Sequence, residues 1–230
     1  MKKIFLLSYY DISDLCVYLA SILKKYGIRV AVVDETTEEY IKYYLNAEEE
    51  GDIFEHQEIQ YLFNYKKLDE LDEVDMVLIC TDKRMMLPQI EEDDEIFIFA
   101  NQDRRLLLRL KVYLEALGVR GFKSVTRVLH LVESKIDTEY IDVFLRNDNI
   151  SIIENIEIFI DESDMITKIE NAFNLRQQFK NASKEFKLAL KEICGIILRD
   201  ELEDKKAQKM FKKAMKSAER GGKNAGLFSK

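Results

Sequence analysis

The stretch KKIFLLSYYDISDLCVYLASILKKYGIRVAVVD, residues 2–34, decides the fold. It holds two apolar runs rich in β-formers, 2–8 and 28–34, on either side of a helical pattern that ends at Gly27. A strand, a helix and a second strand of these lengths form a βαβ unit, in which the two strands run parallel in one sheet. The sequence therefore predicts an α/β domain.

The rest of the chain repeats this alternation. Further apolar runs at 74–81, 94–100, 124–134 and 150–161 predict strands. Residues 54–63 predict one more strand, and helical patterns stand at 37–50, 103–118, 137–145, 163–173 and 183–198. We expect a mostly parallel, doubly wound sheet with helices on both faces. It would occupy residues 1–200 as one Rossmann-type domain, followed by a C-terminal basic helix within a tail of residues 201–230.

Charge divides the chain at the same place. The formal net charge is −8, but residues 205–230 hold nine Lys/Arg and one acidic residue, so residues 1–204 carry −16. An acidic body repels a phosphate backbone, which argues against nucleic acid as a partner. Cys16, Cys80 and Cys194 share no metal-ligand spacing and stand in apolar surroundings. Buried reduced thiols are typical of the cytoplasm, where we expect the protein.

The loop between the first strand and the first helix, SYYDIS (8–13), stands where α/β folds bind phosphate. A phosphate loop needs glycines, a lysine and a Ser or Thr for Mg²⁺. This loop has no glycine and no lysine, and Asp11 and Asp14 instead place two carboxylates at the helix N-terminus, where they stabilise the helix dipole. Ser13 is a candidate helix cap and magnesium ligand. No nearby residue supplies a positive charge, so a triphosphate would be repelled.

Four stretches together resemble the MinD/ParA-type ATPases, the deviant Walker subgroup of P-loop proteins. They are residues 2–34, VDMVLICTD (74–82), DEIFIFANQDRRLLLRLKVYLEAL (94–117), and the pair VLHLVESKIDTEYI with SKEFKLALKEICGIIL. The resemblance implies a nucleotide site at the loop and at the Walker B strand. Compared with the family pattern, Ile12 lies near the position of the loop lysine, and Cys80 occupies the position of the Walker B aspartate. Asp82, two residues later, is a candidate replacement for that aspartate.

A degenerate nucleotide site follows from this comparison. Its residues would be Ser8, Tyr9, Tyr10, Asp11, Ile12, Ser13, Asp14, Asp34, Cys80 and Asp82. Tyr9 and Tyr10 would fill the space of an adenosine phosphate. Asp34 ends the second strand, where dinucleotide folds place a ribose ligand, but an ordinary turn residue is the simpler interpretation. We expect no catalytic residue, no cofactor and no metal, because phosphoryl transfer depends on the missing lysine and Mg²⁺.

The tail predicts an amphipathic helix with a narrow apolar side. Its partner-binding or membrane-binding residues would be Lys209, Met210, Phe211, Lys212, Lys213, Met215 and Lys216. MinD-type proteins often end in a basic helix that touches anionic membranes, so the resemblance implies peripheral attachment at the inner face of the membrane. A partner's groove and plain solvation stay open as alternatives.

These patterns favour a non-enzymatic pseudo-ATPase adaptor. By analogy with degenerate members of the family, it would help to localise or assemble a membrane-associated bacterial machine of pilus, secretion or flagellar type, through a protein partner or a homodimer. The alternative is a nucleotide-responsive or receiver-like signalling switch, since acidic residues at strand ends also mark receiver domains. A receiver needs a phosphoacceptor after its third strand and a lysine after its fifth, and neither is evident here.

Overall fold

A computed structural model describes residues 1–71, 73–122, 124–175 and 177–221, and these residues form eight strands, seven α-helices and three short 3-10 helices. The strands are β1 (Lys2–Ser8), β2 (Val30–Glu35), β3 (Ile53–His56), β4 (Ile59–Leu62), β5 (Met76–Thr81), β6 (Glu95–Asn101), β7 (Ser124–Leu131) and β8 (Ser151–Phe159). The helices are α1 (Ser13–Tyr26), α2 (Tyr40–Tyr44), α3 (Arg104–Val119), α4 (Thr138–Leu145), α5 (Glu162–Asn174), α6 (Lys184–Ile197) and α7 (Lys205–Glu219).

All eight strands form one sheet in the order β3-β4-β2-β5-β1-β6-β7-β8. Every pairing among the described strands is parallel except that of β3 with β4. The predicted fold class is therefore confirmed. In a five-stranded receiver β2 lies beside β1, whereas here β5 lies between them, so the sheet does not have the receiver order.

The buried core lies on both faces of the sheet. One cluster joins α1, α6 and α7 to the sheet, and the other lies under α3 and α4. The apolar side chains of β1 alternate between the two clusters, with Ile4 and Leu6 in the first and Phe5 and Leu7 in the second. This explains why β1 reads as an unbroken apolar run, since a central parallel strand is covered on both sides.

Two local predictions were wrong, for reasons of backbone geometry. The helix expected over 37–50 spans only Tyr40–Tyr44, because Glu39 and Asn46 on either side adopt positive φ angles of 50°. The strand expected over 54–63 is a hairpin of β3 and β4. Its two-residue turn, Gln57-Glu58, has positive φ at both positions without the Asn-Gly signal that normally marks such a turn.

Helix α7 packs against the body of the protein. It lies on α1, with Phe211 and Ala218 in the first core cluster, Ala214 also buried, and the Phe211 ring 6.2 Å from that of Tyr26. Residues 222–230 of the expected tail lie outside the described residues. In the described part of the chain, no helix combines the length and the apolar character needed to cross a bilayer.

Candidate functional site

The loop after β1 lies at the carboxyl end of a central strand and is closed by its own side chains. The Ser8 hydroxyl donates to the carbonyl oxygen of Tyr10 at 2.7 Å and accepts from the Tyr10 amide at 3.2 Å. Asp11 accepts a hydrogen bond from the backbone amide of Ser13 at 2.9 Å, and Ser13 is the first residue of α1. The expectation that Ser13 caps the helix is therefore wrong, because the preceding aspartate binds the free amide and Ser13 is itself helical.

A lysine missed by sequence reasoning meets the two aspartates. The ammonium of Lys168, on α5, lies 2.8 Å from Asp11 Oδ2 and 3.2 Å from Asp14 Oδ1, and it also donates to the carbonyl oxygen of Asp11. The expectation that no positive charge reaches the loop was wrong. Lys168 lies 157 residues from Asp11 in the sequence, so no local pattern could have revealed the contact.

The charges at this site are strongly coupled. Burial raises the pKa of Asp14, and its neighbour Lys168 only partly offsets this effect. Burial lowers the pKa of Lys168, but the two carboxylates together outweigh burial and hold this pKa above its usual value. One ammonium against two carboxylates leaves the site with a formal charge of −1 when all three are ionised. The ammonium of Lys168 is thus already ion-paired with the two carboxylates, whereas a bound phosphate would need a lysine free to neutralise its own charge.

Tyr9 and Tyr10 point to opposite faces of the sheet. The Tyr10 hydroxyl donates to the carbonyl oxygen of Ala100 at 3.3 Å, and its ring centroid lies 5.4 Å from that of His130. The Tyr9 ring packs in the second cluster, beneath the guanidinium of Arg109 at 4.2 Å. The two rings brace the loop from both sides, so they do not lie together in one space where a nucleotide would sit.

Asp34 and Cys80 face inward. One Asp34 oxygen accepts from the amide and hydroxyl of Thr36 at 3.0 and 2.6 Å, and the other accepts from the Ile41 amide at 2.7 Å. Asp34 therefore holds its own turn, as the simpler interpretation predicted. The buried Cys80 sulfur lies 2.8 Å from that of Cys16, and burial raises the pKa of both thiols.

Asp82 is likewise used within the fold. Its Oδ1 accepts from the amide and hydroxyl of Thr37, both at 2.9 Å, and its Oδ2 lies 3.9 Å from Arg109. Across the described residues, no three His, Cys, Asp or Glu side chains group in a way that could hold a metal ion.

The basic helix presents its lysines and hides most of its apolar side. Lys209, Lys212, Lys213 and Lys216 are exposed, as is Met210. Phe211 is buried and Met215 packs against the core, which corrects their expected role in binding a membrane or a partner. Phe211 is therefore not available to an outside surface while α7 stays docked on α1, and Met215 is only partly exposed.

A pocket of about 260 Å³ opens beside the loop. Tyr10, Asp14, His130 and Lys168 form its polar wall, and Phe186 is among its apolar lining residues. The Nε2 atom of His130 is buried and has no hydrogen-bond partner among the described residues. Burial, followed by the charge of Lys168, lowers the pKa of His130 to about 4, so the imidazole is neutral at pH 7.

His130 should make the protein less stable in mild acid. Between pH 6.5 and 4 the histidine of the unfolded chain binds a proton that the folded one does not. As the pH is lowered through this window, the free energy of unfolding therefore decreases by up to about 1.4 kcal/mol per pH unit. Denaturant titrations at several pH values should give a shallower slope for His130→Gln. An unchanged slope over this window would show that His130 is protonated as readily in the fold as in the open chain.

Several solved structures share the fold of this chain. A MinC:MinD cell division protein complex from Aquifex aeolicus matches with a TM-score of 0.61 at 11% identity, over 85% of this chain and 96% of that one. The septum site-determining protein MinD with Mg-ADP from Pyrococcus horikoshii matches with a TM-score of 0.56 at 14% identity, over 91% and 98%.

A putative plasmid partition protein from Borrelia burgdorferi, bound to AMPPNP, matches with a TM-score of 0.56 at 13% identity, over 86% of this chain and 99% of that one. No protein-family model and no curated protein sequence matches the chain. At these identities the likeness establishes the fold alone. The chain thus has the MinD/ParA-type fold, as the resemblance of its sequence predicted.

Proposed function

We propose that the protein is a pseudo-ATPase adaptor, which keeps the MinD/ParA-type scaffold and binds other proteins in place of hydrolysing ATP. The observation that carries the proposal is the contact of Lys168 with Asp11 and Asp14 at the carboxyl end of β1. In open α/β sheets this edge is where ligands bind. Here it already contains a charge pair made by the chain itself.

The physical argument concerns the phosphate. A bound triphosphate is stabilised by converging backbone amides, a free lysine and Mg²⁺. In this loop Asp11 takes the Ser13 amide, and Lys168 is engaged by carboxylates. A phosphate placed here would have to break the ion pair and face two carboxylates. The inward positions of Asp34 and Cys80 support the same conclusion, since neither is directed to hold a magnesium water shell.

The finer proposal is a spatial role. We infer that the adaptor helps to place or assemble a membrane-associated bacterial machine of pilus, secretion or flagellar type, working through a partner protein or a homodimer. One of the proteins that share its fold is a complex of two cell division proteins, and another is a partition protein, which supports such a role by analogy only. The exposed lysines of α7 would add salt-sensitive attraction to an anionic membrane.

Mg-ATP should leave the protein unaffected. We expect calorimetric titration to show no binding tighter than about 1 mM, and the melting temperature to stay constant in excess nucleotide, because binding to the folded state would raise it. An ATP-binding protein measured in parallel sets the sensitivity. Saturable binding in the micromolar range would contradict the adaptor and would favour the nucleotide-responsive switch.

A further inference from the structure

Helix α5 exposes an apolar surface beside the loop. The surface, here called the α5 face, consists of large side chains that are 41–75% exposed, namely Ile160, Met165, Ile166, Ile169 and Phe173. Single exposed apolar residues are normal, but five large ones grouped on one helix and the short segment before it are not. Such a group marks an interaction site.

The same helix buries polar residues. Thr167 and Asn171 are 6% and 3% exposed, and Lys168 is turned towards the loop. The Asn171 amide donates to the Tyr18 hydroxyl at 2.6 Å. A surface helix normally directs its apolar side to the core, so the arrangement in α5 is inverted. The helix is held by hydrogen bonds and ion pairs on the inside, which leaves its apolar side for a partner.

The pocket beside the loop adjoins this face. Ile160 and Met165 belong to both, and Ile158 and Phe186 form further apolar wall. At about 260 Å³, its volume falls below the 300–1,000 Å³ that is usual for small-molecule sites. It suits one large apolar side chain that projects from a segment lying along α5.

The charge around the face is acidic. Asp161, Glu162 and Glu170 are exposed, and Asp164 lines the pocket. Within Glu162–Asn174, all of which the structure describes, the sole basic residue is Lys168, and it is engaged by Asp11 and Asp14. A second copy that met this one α5 face to α5 face would bring the same acidic rim against it, and an anionic membrane would be repelled. The complementary occupant is therefore a basic segment.

We propose that the α5 face and its pocket bind a basic amphipathic segment of another protein, with one large apolar side chain seated in the pocket. The proposal rests on the adaptor function and specifies the chemistry of the partner. The partner contributes apolar residues opposite Ile169 and Phe173 and lysines or arginines opposite Glu162 and Glu170. The binding surface lies beside the loop after β1, and Lys168 connects the two through its contacts with Asp11 and Asp14.

The test uses two synthetic helical peptides of equal length, one of leucine and lysine and one of leucine and glutamate. The full chain should bind the lysine peptide, with an affinity that falls as salt rises, and should bind the glutamate peptide at least about 10-fold more weakly. The double substitution Ile169→Ser, Phe173→Ser should lower the affinity for the lysine peptide at least about 10-fold. The matched control is Val143→Ser on α4, where a valine that is 73% exposed lies outside the α5 face and should leave affinity unchanged.

Three results would overturn the proposal. Equal loss in the Val143→Ser control would show that the peptide binds any apolar or acidic surface. If sedimentation shows that the native chain is a dimer and that the Ile169→Ser, Phe173→Ser variant is not, the occupant of the α5 face is a second copy. Tighter peptide binding after deletion of residues 222–230 would identify the chain's own C-terminal segment. The nucleotide titration is a separate measurement, so ATP binding would refute the adaptor without deciding what binds α5.

Discussion

Replacing Lys168 with methionine should lower the free energy of unfolding by about 2–3 kcal/mol at pH 7. Removing one partner of a buried ion pair costs about 3–5 kcal/mol, because the remaining charge is left unpaired. The side chains here are not fully buried, with Lys168 27%, Asp14 13% and Asp11 38% exposed, so solvent screening reduces the expected loss. Methionine keeps the length of the apolar stem. The measurement is urea unfolding of both proteins.

The pH dependence of this loss follows from the ion pair. The raised pKa of Lys168 means that its stabilisation is fully present below the unfolded value of about 10.5 and is lost as the pH rises through the folded value. In acid, protonation of Asp14, whose pKa burial already raises, removes its unpaired negative charge in the variant. The difference between the two proteins should therefore be largest near neutral pH and should shrink at both ends.

Asparagine at positions 11 and 14 provides the matched control. If the loss comes from unpaired carboxylates, Lys168→Met should cost far less in the Asp11→Asn, Asp14→Asn background than in the native one. The difference between the two costs is the coupling energy of the cluster. Equal costs in both backgrounds would mean that Lys168 acts through packing of its stem, and the electrostatic account of the loop would be wrong.

Replacing Asp34 with alanine should cost about 3 kcal/mol. The substitution leaves the amides of Thr36 and Ile41 and the Thr36 hydroxyl without their acceptor in a turn where Asp34 is 2% exposed. Each buried donor left unpaired costs about 1–3 kcal/mol, and rearrangement of the turn recovers part of the sum. The loss is measured by urea unfolding.

The control for Asp34 is asparagine, which keeps one acceptor oxygen and the size of the side chain. It should cost about half as much as alanine, because one of the two oxygens still accepts. A stability unchanged by Asp34→Ala would show that the hydrogen bonds of this turn contribute little. The residue would then be free for a ligand, which is the ribose-binding role that its place at the end of β2 suggested.

Much of the scaffold could be predicted from the sequence. The strands β1, β2, β5, β6 and β7 follow from apolar runs that need cover on both faces, and Gly27 ends α1 at a φ of 112°. Ser183 accepts from the amide of Phe186 and caps α6, which begins one residue after the start of the expected pattern at 183–198. The short α2 and the β3–β4 hairpin were missed, because their limits depend on positive φ angles at residues such as Glu39 and Gln57.

The sequence by itself determined the parallel sheet and the two acidic residues at the start of α1, since both depend on residues close together in the chain. Tertiary structure alone decided what those acidic residues meet. Because β7 and β8 extend the sheet beyond β6, α5 is carried to the N-terminus of α1, where Lys168 reaches Asp11 and Asp14. The same placement turns Thr167 and Asn171 inward and leaves Ile169 and Phe173 exposed. Strand order fixes contacts between distant segments, and it is decided by the energy of the whole packed sheet, which no local pattern contains.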